Sequence, residues 1–254
     1  MPGTDAAFDA TPARSERVSV VMPVFAEERT VPELLERLRA LLGPQLHEVR
    51  IVLSPKSPLR TVRICREAAE GRPEIHLSVQ KQSPGVGYAF RQGIAEAEGD
   101  LLLLMDSDGE MDVEDVPRML AALRERKADL VVGSRWVAGG GAEGYDPKKM
   151  LLNRAYHSLF RLLYRTRIHD LTFGFKLGRA AVLKSFPYTA QFQEIGCEVT
   201  LRALRAGYHV EEIPTVWRCR KEGVSTNPLK RNLRYAWTAL SVLGGGGRRL
   251  EEAT

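Results

Sequence analysis

Leu101-Leu102-Leu103-Leu104-Met105 runs straight into Asp106-Ser107-Asp108. A short unbroken apolar run of this kind reads as a buried strand. Two carboxylates at alternate positions just beyond it cannot both turn into the core. They stand at the carboxyl end of a strand, where open α/β sheets bind ligands. Paired hard oxygen donors there suit a divalent cation, and the cation suits a diphosphate. Asp-x-Asp alone is common, and an exposed loop pair is the plain alternative. The flanking chain raises the metal reading above it.

Working outward, strand and helix patterns alternate at short intervals. Strands are expected at Val18 to Val24, with Pro23 ending the run, at Val49 to Leu53, Ile75 to Val79 and Asp129 to Val132. Helical spacing fills Val31 to Leu42, Leu59 to Glu70, Tyr88 to Ala97 and Val113 to Glu125. This alternation predicts an α/β fold with a largely parallel sheet and helices on both faces. The second half is less regular. Gly139-Gly140-Gly141 reads as a flexible loop, Met150 to Tyr164 as a helix and Phe173 to Leu177 as a strand. Glu194 to Arg205 reads as a helix closed by Gly207, His209 to Trp217 as one strand and Asn227 to Leu243 as a last helix. Residues 1–16 are expected to be disordered and the Gly-rich tail mobile.

The chain of 254 residues can bury one sizeable core, and its net charge of +5 suits a partner that carries phosphates. Without an aromatic-rich basic surface, nucleic acid is not expected among those partners. Cys65, Cys197 and Cys219 share no metal-ligand spacing and point to a reducing, cytoplasmic setting. No apolar run approaches the roughly 20 residues a bilayer span needs, and no signal peptide is expected.

Two basic stretches carry apolar series. Arg154, Arg161, Arg165 and Arg167, with Lys148 and Lys149, flank Leu151, Leu152, Leu159, Leu162 and Leu163. Leu229, Leu233, Trp237 and Leu240 repeat beside Lys230, Arg231 and Arg234. Each could lie peripherally on an anionic membrane, or pack on the domain or on the partner in a homodimer.

Further segments line up in order. Val18-Ser19-Val20-Val21-Met22-Pro23 is followed by Glu27-Glu28, then Gly85-Val86-Gly87-Tyr88-Ala89, Asp106-Ser107-Asp108 and Val131-Val132-Gly133-Ser134-Arg135. Asp170-Leu171-Thr172-Phe173-Gly174-Phe175, Glu198, Glu212-Ile213-Pro214 and Arg220-Lys221-Glu222-Gly223-Val224-Ser225 come later. In this order the chain resembles a family-2 glycosyltransferase of the GT-A fold. It is most similar to the branch that transfers mannose or glucose to polyprenyl (dolichyl) phosphates. The likeness covers about residues 17–228, leaving 229–254 as an amphipathic helix and tail.

The resemblance implies inverting transfer from a nucleoside-diphosphate sugar. The acceptor is a lipid phosphate, or, in the alternative, a small-molecule hydroxyl; a non-catalytic sugar-nucleotide module is the third reading. Pro23, Phe25 and Glu27 match positions lining the nucleoside pocket, with Ser54 and Ser107 on the adjoining turns. Asp106 and Asp108 match ligands of Mg²⁺ or Mn²⁺, and Glu110 falls where relatives carry a further metal-reaching side chain. Arg135 and Arg220 match arginines that hold diphosphate or acceptor phosphate, a task for which a planar guanidinium is apt. Glu198 matches the carboxylate that hydroxyl-using relatives employ as general base. Asp170 and Thr172 shape the acceptor loop or a buried turn, and Gly85-x-Gly87 makes a turn rather than a phosphate cradle. Relatives end strand two on an acidic turn. Leu53-Ser54-Pro55-Lys56-Ser57-Pro58 has no carboxylate, which suggests a donor other than the usual GDP-mannose or UDP-glucose.

Overall fold

The structure, a computed structural model, describes residues 16–219 and 228–245, without the side chains of 147–149 and 228–232. In chain order these form β1 (Val18–Val24), α1 (Thr30–Leu42), β2 (Leu46–Leu53), α2 (Leu59–Ala69), β3 (Ile75–Val79), α3 (Val86–Glu96) and β4 (Leu101–Leu104). There follow α4 (Val116–Glu125), β5 (Leu130–Ser134), β6 (Gly141–Glu143), α5 (Pro147–Tyr164), β7 (Lys176–Arg179) and α6 (Ala180–Lys184). The last elements are α7 (Ile195–Arg205), β8 (Val210–Pro214), β9 (Val216–Arg218) and α8 (Pro228–Gly245).

Seven strands form one sheet in the order β3-β2-β1-β4-β7-β5-β8. All neighbours are parallel except β7, which runs antiparallel to both β4 and β5. The strands are apolar because both faces are covered. Val20, Met22, Leu101 and Leu103 pack beneath α1 and α4. Val21, Leu102 and Leu104 pack against α3, α6 and α7 on the other face. Leu is not a strong strand former, but all four residues of β4 are buried, and burial decides the outcome.

Chain order reverses at β1, with β2 on one side and β4 on the other. The crevice at the carboxyl ends of β1 and β4 is therefore the switch point where such sheets take ligands. Pro23 lies inside β1 rather than ending it. It faces β4 after that pairing has stopped at Val21 and Leu104, so its missing N–H breaks no ladder bond. Ser107 Oγ donates to the Pro23 carbonyl instead, at 2.6 Å.

Three further expectations need correction. The glycine run is partly ordered, because β6 pairs with β9 in a second, two-stranded sheet. The single strand expected at His209 to Trp217 is divided at Thr215 between the two sheets. The strand expected at Phe173 to Leu177 begins three residues later, and residues 170–174 form a loop. Residues 1–15, 220–227 and 246–254, including Arg220 and its motif, lie outside the described residues.

Candidate active site

The crevice is built from turns that follow parallel strands, plus one segment that precedes an antiparallel strand. Phe25 and Glu27 follow β1, Ser54 follows β2, Asp106 to Glu110 follow β4, and Arg135 follows β5. Because β7 runs the other way, the segment before it, 170–174, reaches this same edge.

Asp106 and Asp108 are half-buried, while Ser107 between them is buried. Ser107 does not face the crevice. Its hydroxyl holds Pro23 and its carbonyl accepts from Thr30 Oγ1 at 2.6 Å, so it clamps β4 to β1 and α1. Asp108 Oδ1 accepts from the Glu110 N–H at 3.1 Å, which tightens the turn. Gly174 lies over Asp106: a Cβ there would stand 3.6 Å from Asp106 Oδ2 and 3.3 Å from Met111 Cε. Its missing side chain leaves room beside the carboxylate.

Glu110, expected as a further metal ligand, turns elsewhere. Its carboxylate accepts the Trp217 indole N–H at 2.9 Å, and its carbonyl accepts the Arg218 N–H at 3.0 Å. Among the described residues no three His, Cys, Asp or Glu side chains are gathered to hold a metal ion. Two half-buried carboxylates with room beside them still fit a hard divalent cation whose other ligands come from a diphosphate or water.

On the nucleoside side, Phe25 is exposed. Glu27 Oε2 accepts from the N–H groups of Phe25 and Ala26 at 2.7 and 2.9 Å, so it fixes the turn that carries the ring. Ser54 Oγ accepts from the Lys56 N–H at 3.2 Å, closing the turn that lacks an acid. Gly87 N–H donates to the Gln191 carbonyl at 2.9 Å, and a Cβ there would come within 2.6 Å of the Ala190 carbonyl. The Gly-x-Gly turn thus seats α3 against the loop before α7.

Arg135 was expected to hold phosphate, but its guanidinium is committed. Asp170, fully buried, accepts from Arg135 Nε at 2.7 Å and from Nη2 at 3.0 Å. Thr172 Oγ1 takes a third bond at 3.2 Å, and the cation lies over the rings of Trp136 and Phe173 at 5.0 and 4.7 Å. Burial alone would raise the Asp170 pKa; the Arg135 charge and its hydrogen bonds outweigh that and hold the carboxyl well below its usual range. Asp170 also accepts from the N–H groups of Thr172 and Phe173, so this pair shapes the loop that carries Gly174.

Two further ionisable groups on this cluster escaped the sequence reading. Lys176 is fully buried, with its ammonium on the Phe173 carbonyl, and burial pushes its pKa down to about 8. His157, on α5, is buried, and burial pushes it down to about 4 although Asp170 pulls the other way. Its Nδ1 lies 3.3 Å from the Leu171 N–H and accepts from it, which requires the neutral ring. A lysine in a strand and a histidine without ligand spacing carry no sequence signal for such a role.

Glu198 does not stand open to an acceptor. It is fully buried in the first turn of α7. Its carboxylate accepts from the Thr189 N–H at 2.9 Å, the Ala190 N–H at 2.7 Å and Thr189 Oγ1 at 3.1 Å, and pairs with Arg202 at 2.8 Å. The geometry makes it the anchor of the 188–191 segment.

A doubly covered sheet, an acidic pair at its switch point and an antiparallel strand feeding the same edge define a glycosyltransferase of the GT-A type. The model of glycosyl transferase family 2 matches residues 19–186, and the chain belongs to that family. It is 29% identical to polyprenol monophosphomannose synthase of Mycolicibacterium smegmatis, over 94% of this chain and 91% of that protein. It is 31% identical to undecaprenyl-phosphate mannosyltransferase of Micrococcus luteus, over 82% of this chain and 86% of that protein. Among solved structures, glucosyl-3-phosphoglycerate synthase of Mycobacterium tuberculosis, bound to Mn²⁺ and UDP-glucose, superposes with a TM-score of 0.70 at 18% identity. That match covers 91% of this chain and 79% of the other, and shows the shared fold.

Proposed function

We propose that this protein transfers a sugar, with inversion, from a nucleoside-diphosphate sugar to a polyprenyl phosphate. The sealing of Glu198 carries the choice of acceptor. A hydroxyl nucleophile needs a group to accept its proton, whereas a phosphate monoester arrives as an anion and needs none. The carboxylate in the position of the family's base is buried and fully engaged, which supports the phosphate route. The two relatives named for lipid-phosphate mannosyl transfer support it independently.

On this reading Phe25 offers its exposed ring to the base, on the turn that Glu27 fixes. Asp106 and Asp108 would hold Mg²⁺ or Mn²⁺, which would neutralise charge on the departing diphosphate. Loop 170–174, pinned by Asp170 and Arg135, keeps Gly174 beside Asp106 and the space there open. Arg220 serves the same phosphates in this proposal, although it lies outside the described residues.

The test is transfer of labelled sugar from a panel of sugar nucleotides to undecaprenyl phosphate, with Mn²⁺ or Mg²⁺ and with chelator. Asp106→Asn and Asp108→Asn should each lower the rate about 10²-fold or more, because several kcal/mol of charge stabilisation depends on the cation. Undiminished transfer by both variants in chelator would sink the metal assignment. Transfer to hydroxyl acceptors in preference to the lipid phosphate would sink the acceptor assignment.

A further inference from the structure

α5 and α8 are apolar on two faces. Phe160 of α5 and Ala239 and Val242 of α8 are buried in the core. Yet the five leucines of α5 named above are exposed, Leu151 at 72% and Leu162 at 75%. On α8, Leu233, Trp237 and Leu240 are exposed, Trp237 at 74%. At 100° per residue the five leucines fall within an arc of about 120°, and the three α8 residues within about 60°. A soluble helix turns its polar side outward. Here the outward sides are apolar, and most of the exposed large apolar residues among those described lie on these two helices.

The helices are also neighbours. The Tyr156 hydroxyl donates to the Tyr235 carbonyl at 3.1 Å, and the Tyr164 hydroxyl to the Ala239 carbonyl at 2.6 Å. Their charge is one-sided: neither residues 147–169 nor 228–250 contain a single Asp or Glu. Arg154, Arg165, Arg167 and Arg234 are exposed along these stretches.

We propose that the paired outer faces of α5 and α8 form a docking surface for an anionic lipid bilayer. Exposed Leu and Trp would enter the acyl boundary while the arginines meet headgroup phosphates. Charge decides between this occupant and a second copy of the chain. A two-fold interface through these faces sets the same basic helices against each other, with no acid on either to pair them. An anionic bilayer complements them instead. The surface also adjoins the site. Tyr235 donates from α8 to the Gln193 carbonyl at 3.3 Å, Arg234 lies 3.9 Å over the Phe192 ring, and α5 brings His157 to loop 170–174. A docked bilayer would thus lie across α5 from loop 170–174, which His157 meets on the buried face of that helix.

Vesicle binding without substrate tests this surface separately from the choice of acceptor. The full chain is sedimented with vesicles of phosphatidylcholine alone or mixed with phosphatidylglycerol. It should bind the mixed vesicles, and high salt should weaken that binding. Leu162→Gln and Trp237→Gln, at exposed positions, should each weaken partitioning about 10-fold while leaving the melting temperature unchanged. Absence of vesicle binding, binding indifferent to lipid charge, or binding that both variants retain in full would overturn the proposal. A dimer in analytical ultracentrifugation that the same substitutions split would assign the face to a second copy. A protein that binds vesicles selectively but transfers no sugar to polyprenyl phosphate would sink the acceptor assignment and leave this surface standing.

Discussion

Glu198 and Arg202 are one helical turn apart, both buried, and bonded to each other. Removing one partner of such a pair strands the other charge in a poor solvent for it. Glu198→Gln keeps the shape but leaves Arg202 uncompensated and turns an amide N–H toward donors. It should cost about 3 kcal/mol, or roughly 6–12 °C in melting temperature. Folded E198Q should still transfer to polyprenyl phosphate within severalfold of the parent rate in single turnovers. An unchanged melting temperature with transfer collapsed to background would restore Glu198 as a catalytic group. The sequence could not disclose this burial. Ile195 to Ala203 is buried without a break, so α7 has no polar face against which Glu198 would read as sealed. The placement of Asp106 and Asp108 at the crevice was legible, because two carboxylates at alternate positions beyond a strand end cannot both turn into the core.

At the scale of elements, short-range pattern located the regular strands and helices, and long-range pairing decided the rest. β6 exists only because Gly141 to Glu143 meets Val216 to Arg218, some 75 residues on, and neither stretch announces the other. Loop 170–174 was legible as a motif but not as the partner of Arg135, which the family pattern assigns to phosphate. Asp170→Asn should destabilise the fold by about 3 kcal/mol or more in urea unfolding, since it leaves a buried guanidinium unpaired. Adding Arg135→Met should recover much of that loss, because the stranded charge is gone. Recovery by the double variant of stability but not of transfer would identify the pair as a positioning device for the loop.

For the molecule as a whole, His157 contributes to acid lability between neutral pH and pH 4, beside carboxylates such as Glu48 and Glu211 whose pKa values the fold also holds below the ordinary ones. The His157 pKa is about 4 in the fold, against an ordinary 6.5. Above about 6.5 neither state binds the proton and the fold keeps its full stability. As pH falls through this window the unfolded chain takes up a proton that the folded chain refuses. The loss should approach about 3 kcal/mol near pH 4. Unfolding free energies measured from pH 7 to 4 should show this slope, and His157→Gln should flatten it. An equal slope in that variant would move the effect to other groups. The overall architecture was the most legible feature, since strand–helix alternation and doubly buried strands constrain the layers strongly. The position of β7 was not, because antiparallel insertion leaves no trace in composition.

That insertion has a consequence for how the polypeptide leaves the ribosome. β1, β2, β3 and β4 pair only with one another until β7 arrives, so four strands can assemble once residue 104 has emerged. β5 follows soon after, but its only sheet neighbours are β7 and β8, which end at residues 179 and 214. For some 45 residues of synthesis, it is an apolar strand with no place in the sheet, and the outer edge of β4 is open beside it. Four of the seven strands of the sheet are thus committed early, while the other part waits on a single four-residue strand to join it.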